Sequence, residues 1–167
     1  MKSITSIYAK DRIKKLSNDI TNYWHIIQKE NVVPKGFTRN YDLKSLLTKI
    51  EEMAAERYLM KLYLQCINMG YKKFSELPDT NNYTTIFLLS EKKEQLFQLN
   101  HIKTINLKLK RAKGKKNLNN TEELTSAYIK TLTNKLELEI NKLTKDLSTF
   151  NETAELDIED APKCLAV

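Results

Sequence analysis

The sequence predicts an all-α protein, an elongated bundle of about four long amphipathic helices arranged as antiparallel helical hairpins. Only three glycines and three prolines interrupt the 167 residues. Between them, apolar residues recur three and four positions apart, which is the period of one face of an α-helix. We expect a single helical-bundle domain over residues 1–151 and a flexible acidic tail over 152–167.

Two helices are predicted in the first half of the chain. The first spans 5–30 and ends at the segment 33–36, because its proline lacks an N–H and its glycine tolerates positive φ. The second runs from a capping residue within 40–42 to Gly70, which suits the left-handed position after a helix. Their apolar stripes consist of Ile13, Leu16, Ile20, Ile27, Leu46, Ile50, Met53, Met60, Leu64 and Ile67.

Arg57 occupies a position where the second stripe calls for an apolar residue. We expect its aliphatic stem to be buried and its guanidinium to reach solvent. Pairing with Glu52, Glu56 or an acid on a neighbouring helix is an alternative, because a buried unpaired arginine is costly. A functional alternative is that Arg57 binds an anion inside the bundle.

Two further helices are predicted in the second half. The third spans 82–112, although 84–89 has strand-like composition and 105–110 alternates with a period of two. The fourth begins at Asn120, whose side chain caps the helix while Glu123 reaches back to it. It carries a strict 4-3-4-3 apolar spacing typical of a coiled-coil seam. The seam residues are Leu136, Ile140, Leu143, Leu147 and Phe150.

Charge is distributed unevenly along the chain. The net charge is +7, and residues 103–116 hold seven basic residues without an acid: Lys103, Lys108, Lys110, Arg111, Lys113, Lys115 and Lys116. This basic segment is the candidate nucleic-acid-binding site, because clustered cations neutralise phosphates. No aromatic residue lies between 98 and 127 to stack on bases. The alternatives are a solvated helix end that complements the helix dipole, and a basic segment covered by the acidic tail.

Motifs that carry chemistry are missing from the sequence. His25 and His101 have no cysteine nearby and no Glu-x-x-His motif occurs, so we expect no metal and no other cofactor. No serine lies in a Gly-x-Ser-x-Gly turn, and Cys66 fits an inert packing residue, so we expect no catalytic residues. The final residues Cys164–Val167 formally fit a prenylation box, with an ordinary acidic C-terminus as the alternative.

The sequence also carries information about location. No apolar run is long enough for a transmembrane helix, and no apolar h-region follows Met1, so we expect neither a membrane partner nor a secretory signal. The two cysteines do not make a disulfide framework, which favours a reducing cytoplasm. The heavy use of Lys, Asn and Ile is typical of AT-rich genomes and suggests a phage or mobile-element origin.

From about Leu43 to Leu156 the order of features resembles a known family. The matching pieces are a Leu-rich helix ending in Ile67-Asn68, a turn with Thr and Asn, a helix of mixed charge, and a last helix closing with Asn151-Glu152-Thr153-Ala154-Glu155-Leu156. In this order they resemble the small bacterial helical proteins often labelled septicolysin-like. The resemblance implies helical hairpins and an all-helical fold, and it implies no active site.

The leading interpretation of the sequence is a non-enzymatic adaptor that binds another macromolecule, most simply a protein, through a helical face. Self-association through the seam of the fourth helix is a further expectation. The alternative is a nucleic-acid-binding accessory protein that uses residues 103–116. An enzyme is the third class, and it has the least support because the motifs of catalysis are missing.

Overall fold

This computed structural model describes residues 3–79, 81–105 and 120–155 of the chain. These residues form four α-helices, a short 3₁₀ turn at Phe74–Glu76 and one two-stranded sheet, so the predicted all-α fold class is confirmed. In chain order the elements are α1 (Ser6–Glu30), β1 (Val32–Pro34), α2 (Leu43–Asn68), α3 (Tyr83–Asn100), β2 (Asn120–Glu122) and α4 (Ser126–Thr153). The small sheet was not predicted.

Successive helices run antiparallel. α1 packs on α2, α2 on α3, and α3 on α4. Strands β1 and β2 pair at the end where α1 and α3 finish and α2 and α4 begin, which we name the sheet end. We name the other end, where α1 and α3 begin and α2 and α4 finish, the distal end.

Apolar side chains form two buried clusters. The larger lies towards the sheet end, and its members come from all four helices, from the connector after α3 and from the connector before α4. They include Ile20, Trp24, Ile27, Leu43, Leu46, Ile50, Leu99, Ile102, Leu124, Ile129 and Leu136. The smaller lies towards the distal end and contains Leu62, Cys66 and Leu77, flanked by four aromatic residues. Fully burying a Leu or Ile side chain contributes about 1.5–3 kcal/mol, so these clusters hold the helices together.

Local signals set the ends of the first two helices. Thr5 Oγ1 accepts a hydrogen bond from the Tyr8 N–H (3.2 Å), and Asp42 Oδ1 accepts one from the Lys44 N–H (3.0 Å), as expected of N-cap residues. Gly70 has a φ of +79°. Around it the Tyr71 N–H donates to the Cys66 carbonyl and the Gly70 N–H to the Ile67 carbonyl, which is the Schellman pattern. The predicted bounds of α1 and α2 are confirmed.

The predicted bounds of the other two helices are wrong. α3 ends at Asn100 and not at 112, because the following residues leave the helix and Ile102 enters the main core. α4 begins at Ser126 after the cap Thr125 and not at Asn120. Residues 120–122 are instead drawn into an antiparallel pair with 32–34. A tertiary contact has overridden the local capping signal.

Two open alternatives of the sequence are also resolved in part. The strand interpretation of 84–89 is wrong, since these residues lie inside α3. Ile105 belongs to neither a helix nor a strand, and 106–110 lie outside the described residues. α4 continues to Thr153, two residues beyond the predicted domain end, and 156–167 also lie outside the described residues.

Candidate functional site

Arg57 is the centre of a buried ionic cluster between α1, α2 and α3. Its side chain is 5% exposed and that of Glu91 is 3% exposed. Arg57 Nε donates to both Glu91 carboxylate oxygens (3.0 and 3.1 Å), Nη2 donates to Glu94 (2.7 Å), and Nη1 donates to the Ser17 hydroxyl (3.2 Å). Lys61 Nζ donates to Glu91 from the other side (2.7 Å). The expectation that the guanidinium reaches solvent is therefore wrong, because Glu91 on α3 receives it inside the bundle.

The cluster is structural in character. Burial by itself lowers the pKa of the Arg57 guanidinium, but the hydrogen bonds and charges of Glu91 and Glu94 outweigh it, and the pKa is raised. Since these carboxylates and Ser17 take up the guanidinium donors, the geometry does not support the interpretation that Arg57 binds an anion. The cluster instead fixes α3 against α2 with a specific register.

A buried asparagine organises the sheet end. Asn31 follows α1, and its Nδ2 donates to the backbone carbonyls of Lys103 (2.8 Å) and Leu124 (3.0 Å). Its Oδ1 accepts from the Leu124 N–H (2.7 Å). Arg39 donates to the carbonyls of Asn31 (2.9 Å) and Thr121 (3.1 Å). These bonds hold the connectors before and after the basic segment to the end of α1.

Two acidic side chains at the sheet end also accept hydrogen bonds from backbone N–H groups. The Ile105 N–H donates to the Glu122 carboxylate. Glu123, which the sequence assigned to the start of the fourth helix, accepts from the Leu43 N–H at the start of α2 (2.7 Å). Ile105 and Asn120, which flank residues 106–119, are thus both anchored at this end.

The candidate nucleic-acid-binding residues fall mostly outside the described residues. Lys103 is exposed on the connector after α3. The other six, Lys108, Lys110, Arg111, Lys113, Lys115 and Lys116, lie within 106–119 and outside the described part of the chain. The described neighbours place the two ends of this segment at the sheet end. The C-terminus of α4, from which the acidic tail continues, lies at the distal end. A 28-residue helix is about 42 Å long, so about that length separates the two ends of α4 along the bundle.

The distal end exposes apolar side chains. Phe74 is 47% exposed and meets the Tyr63 ring edge-on, with 5.6 Å between ring centroids. Two open grooves flank the last turns of α2. One, of about 510 Å³, is lined by residues that include Ile4, Tyr63, Ile67, Tyr71, Lys72 and Phe74. The other, of about 480 Å³, includes Ile13, Leu64, Ile86 and Phe87. No sequence pattern indicates these grooves, since exposure depends on which helices pack together.

The seam predicted on the fourth helix is partly used within the chain. Leu136 is buried in the main core, and Ile140, Leu143, Leu147 and Phe150 are half-buried. α4 packs along α3, and Lys92 on α3 pairs with Glu139 on α4 (2.7 Å). Self-association through this seam stays a prediction.

Within the described part of the chain, His25, His101 and Cys66 do not form a shared site. His25 is exposed on α1, and the His101 ring packs on Phe97 with 4.3 Å between centroids. Over residues 3–79, 81–105 and 120–155, no group of three or more His, Cys, Asp and Glu side chains is arranged to hold a metal ion. Burial raises the pKa of the Cys66 thiol, so the thiol stays protonated and unreactive at neutral pH. Residues 164–167, the formal prenylation box, lie outside the described residues.

No helix in the described part of the chain combines the length and apolar character that crossing a bilayer requires. Comparisons of the chain with protein-family models, curated proteins and solved structures found no match. The resemblance to septicolysin-like proteins therefore stays a prediction.

Proposed function

We propose that the protein is a non-enzymatic interaction protein that binds another macromolecule through the helical surface at its distal end. The observation that supports this proposal is the pair of open grooves, each lined in part by apolar side chains, on either side of the C-terminal half of α2. Apolar surface that stays exposed on a folded chain, rimmed by polar groups, commonly marks a protein–protein contact. Aromatic residues such as Tyr63 and Phe74 are also enriched in the energetic centres of such contacts.

The lysines at this end suggest the chemistry of the partner. Lys72 and Lys73 line the same groove as Phe74. A partner segment that combines apolar residues with acids would bury its apolar side chains against the groove and pair its carboxylates with the rim. We expect the apolar contact to supply most of the affinity, because rim charges act mainly on the association rate and its salt dependence.

A matched pair of phenylalanines tests this proposal. Phe74→Ser removes a ring that is 47% exposed at the distal end, and Phe97→Ser removes a ring that is 60% exposed near the sheet end. Tagged parent and variants are used to isolate partners from the native host after nuclease treatment, and the recovered proteins are quantified. A protein partner that the parent and Phe97→Ser retain and that Phe74→Ser loses supports the proposal. Recovery that is equal for both variants contradicts it.

Nucleic-acid binding through residues 103–116 is the second candidate function. One observation favours it. The two acids next to the segment, Glu122 and Glu123, accept hydrogen bonds from backbone N–H groups at the sheet end, so they are held in place there and are not free to follow the lysines of the segment. Exposed Lys35 and Lys103 add positive charge beside the anchored ends of the segment. A basic segment without aromatic residues would contact phosphates and not bases, so binding would be insensitive to sequence and weakened by salt.

Charge-matched variants separate this function from the first. Lys108, Lys110, Arg111 and Lys113 are replaced by Gln in one variant. In the control, the exposed lysines Lys14, Lys15, Lys142 and Lys145 on α1 and α4 are replaced instead. Binding to fluorescent duplex DNA and single-stranded RNA is measured by anisotropy at several salt concentrations. The first variant should bind more weakly, with a smaller salt slope, and the control should resemble the parent. Equal affinity of the two variants would reject the role of the segment.

A further inference from the structure

The end of α4 lies at the same level of the bundle as the groove of about 510 Å³ that contains Phe74, which we name the Phe74 groove. α2 and α4 both run from the sheet end to the distal end. Near their starts, Lys44 Nζ lies 5.5 Å from the centroid of the Tyr128 ring, which fixes their register. From this contact α2 continues to Asn68 and α4 to Thr153, about 36 and 38 Å at 1.5 Å per residue. The chain beyond α4 therefore starts level with the Phe74 groove.

The next part of the chain, residues 156–167, is long enough to reach this groove, and we name it the tail segment. α2 and α4 both pack on α3. Packed helices lie about 8–10 Å apart, so at most about 20 Å separates the axes of α2 and α4. An extended chain spans up to about 3.6 Å per residue, which carries Asp160 up to about 25 Å from Thr153. The sheet end is about 42 Å from Thr153 along α4, so the acids of the tail segment reach the Phe74 groove but not the sheet end.

The Phe74 groove combines aromatic surface with positive charge. The Phe74 ring packs edge-on against Tyr63 and is exposed. The described lining contains Lys72 and Lys73 and no acid, and neither lysine forms an ion pair with another described residue. Glu76, the nearest acid along the chain, accepts a hydrogen bond from the Lys72 backbone N–H (3.1 Å). An occupant with aliphatic side chains and carboxylates complements such a groove.

The tail segment has this chemistry. It contains three acids and one lysine, and residues 156–160 read Leu-Asp-Ile-Glu-Asp. Successive side chains of an extended chain point to opposite sides. Leu156 and Ile158 therefore share one side, and Asp157 and Glu159 share the other. A strand of this kind laid along the groove packs two aliphatic side chains on the aromatic rings and holds its acids beside the lysines.

We propose that the tail segment folds back and occupies the Phe74 groove of its own chain until a partner displaces it. This inference rests on the proposed function, because it assigns regulation to the same groove. A short tether holds a segment at an effective concentration of about 1 mM, so a contact with a Kd of about 0.1 mM keeps the groove covered about nine-tenths of the time. Coverage to that extent weakens the apparent affinity of a partner about tenfold.

Paramagnetic broadening of NMR signals measures this docking in the isolated full-length chain. A nitroxide is attached to Cys164 in the tail segment. Cys66 is buried and its thiol pKa is raised, and a Cys164→Ser chain treated with the same reagent checks that Cys66 takes up no label. The backbone signals of residues 72–74 should lose intensity, and those of the sheet end should not. Equal intensity at residues 72–74 with the active and the chemically reduced nitroxide would overturn the proposal.

Two matched variants separate docking from mere proximity. Ile158→Ser removes one of the two aliphatic side chains that pack on the rings. Leu165→Ser removes an aliphatic side chain from the tail segment beyond its acids. The broadening of residues 72–74 should fall with Ile158→Ser and persist with Leu165→Ser. Equal broadening in both variants would refute the docking, because proximity alone does not depend on Ile158.

A mixing experiment tests the alternative occupant, the tail segment of a second copy. Nitroxide-labelled chains without isotope label are mixed with isotope-labelled chains without nitroxide. Broadening at residues 72–74 in this mixture would show that the occupant comes from another chain and would overturn the proposal. No broadening in the mixture, with broadening in the doubly labelled chain, supports it.

Partner recovery from the native host separates this inference from the proposed function. Recovery should rise several-fold with Ile158→Ser and stay at the parent level with Leu165→Ser. Broadening of residues 72–74 without any recovered partner would reject the proposed function alone. A partner recovered through the Phe74 groove without broadening in the isolated chain would reject the docking of the tail segment alone.

Discussion

Glu91→Gln is the single substitution that best tests how α3 is held in the bundle. The change keeps the size of the side chain and a carbonyl oxygen, but it removes the negative charge that faces Arg57 and Lys61. Arg57 is then a buried cation whose remaining acidic partner is Glu94, and Glu94 is 36% exposed. The guanidinium has lost most of its compensation and cannot reach water without moving a helix.

The expected cost follows from the burial of both groups. Removing one partner of a buried ion pair destabilises a protein by about 3–5 kcal/mol. Glu94 and the retained Gln oxygen offset part of that, so we expect a loss of about 3 kcal/mol. In a chain of this length 1 kcal/mol lowers the melting temperature by about 2–4 °C, so Glu91→Gln should melt about 6–12 °C below the parent.

Urea denaturation followed by circular dichroism measures this change as a shift in midpoint at constant slope. The double variant Arg57→Met with Glu91→Leu removes both buried charges and should lie within about 1 kcal/mol of the parent. The single variants Arg57→Met and Glu91→Leu form a double-mutant cycle with this double variant, which isolates the pair interaction from the loss of each side chain. A loss below about 1 kcal/mol in Glu91→Gln, or a double variant that costs the sum of the singles, would show that the pair is not buried as described.

Two further predictions concern other polar contacts. The hydrogen bond from Arg12 lowers the pKa of Glu56 below its ordinary value of 4.5. This pair therefore stabilises the fold above that pH, and its contribution disappears as pH falls through the native pKa. Arg12→Gln should lower the free energy of unfolding by under about 1 kcal/mol at neutral pH and by almost nothing in acid, as measured by urea denaturation at both pH values. Asn31→Ala leaves the Leu124 N–H and two carbonyls without a partner and should cost at least about 2 kcal/mol in the same assay, whereas an effect below 0.5 kcal/mol would contradict the network.

Much of the fold is predictable because it rests on local periodicity. α1 and α2 each carry an apolar stripe, a side-chain cap and a terminating residue within the segment itself, and their predicted bounds hold. The predicted bounds of α3 and α4 are wrong where contacts between distant residues, and not local periodicity, decide the structure. Asn120 and Glu123 have the spacing of a capping box, but Asn120 pairs with Pro34 and Glu123 caps a different helix. Such a competition is decided by contacts about 80 residues apart in sequence, which spacing does not encode.

The candidate sites were likewise predictable only in part from the sequence. The position of Arg57 in an apolar stripe marks it as unusual from sequence alone, yet its partner Glu91 looks like one of several charged residues in a helix of mixed charge. What distinguishes Glu91 is that it is buried, and burial appears only when α2 and α3 are packed. The distal grooves are gaps between helices, so no residue pattern could have indicated them.

The two ends of the bundle differ in the side chains that they present, and this difference makes the two proposed binding functions separable by substitution. At the sheet end, four polar side chains form hydrogen bonds with backbone atoms: Asn31, Arg39, Glu122 and Glu123. These bonds anchor the chain on both sides of residues 106–119. At the distal end, apolar side chains remain exposed although burying them elsewhere would stabilise the fold. About 42 Å of α4 lies between the two regions. Substitutions more than about 10 Å apart without shared partners act additively. Loss of one binding activity at one end should therefore leave the other intact, and a protein that lost both together would have to be using a single composite surface.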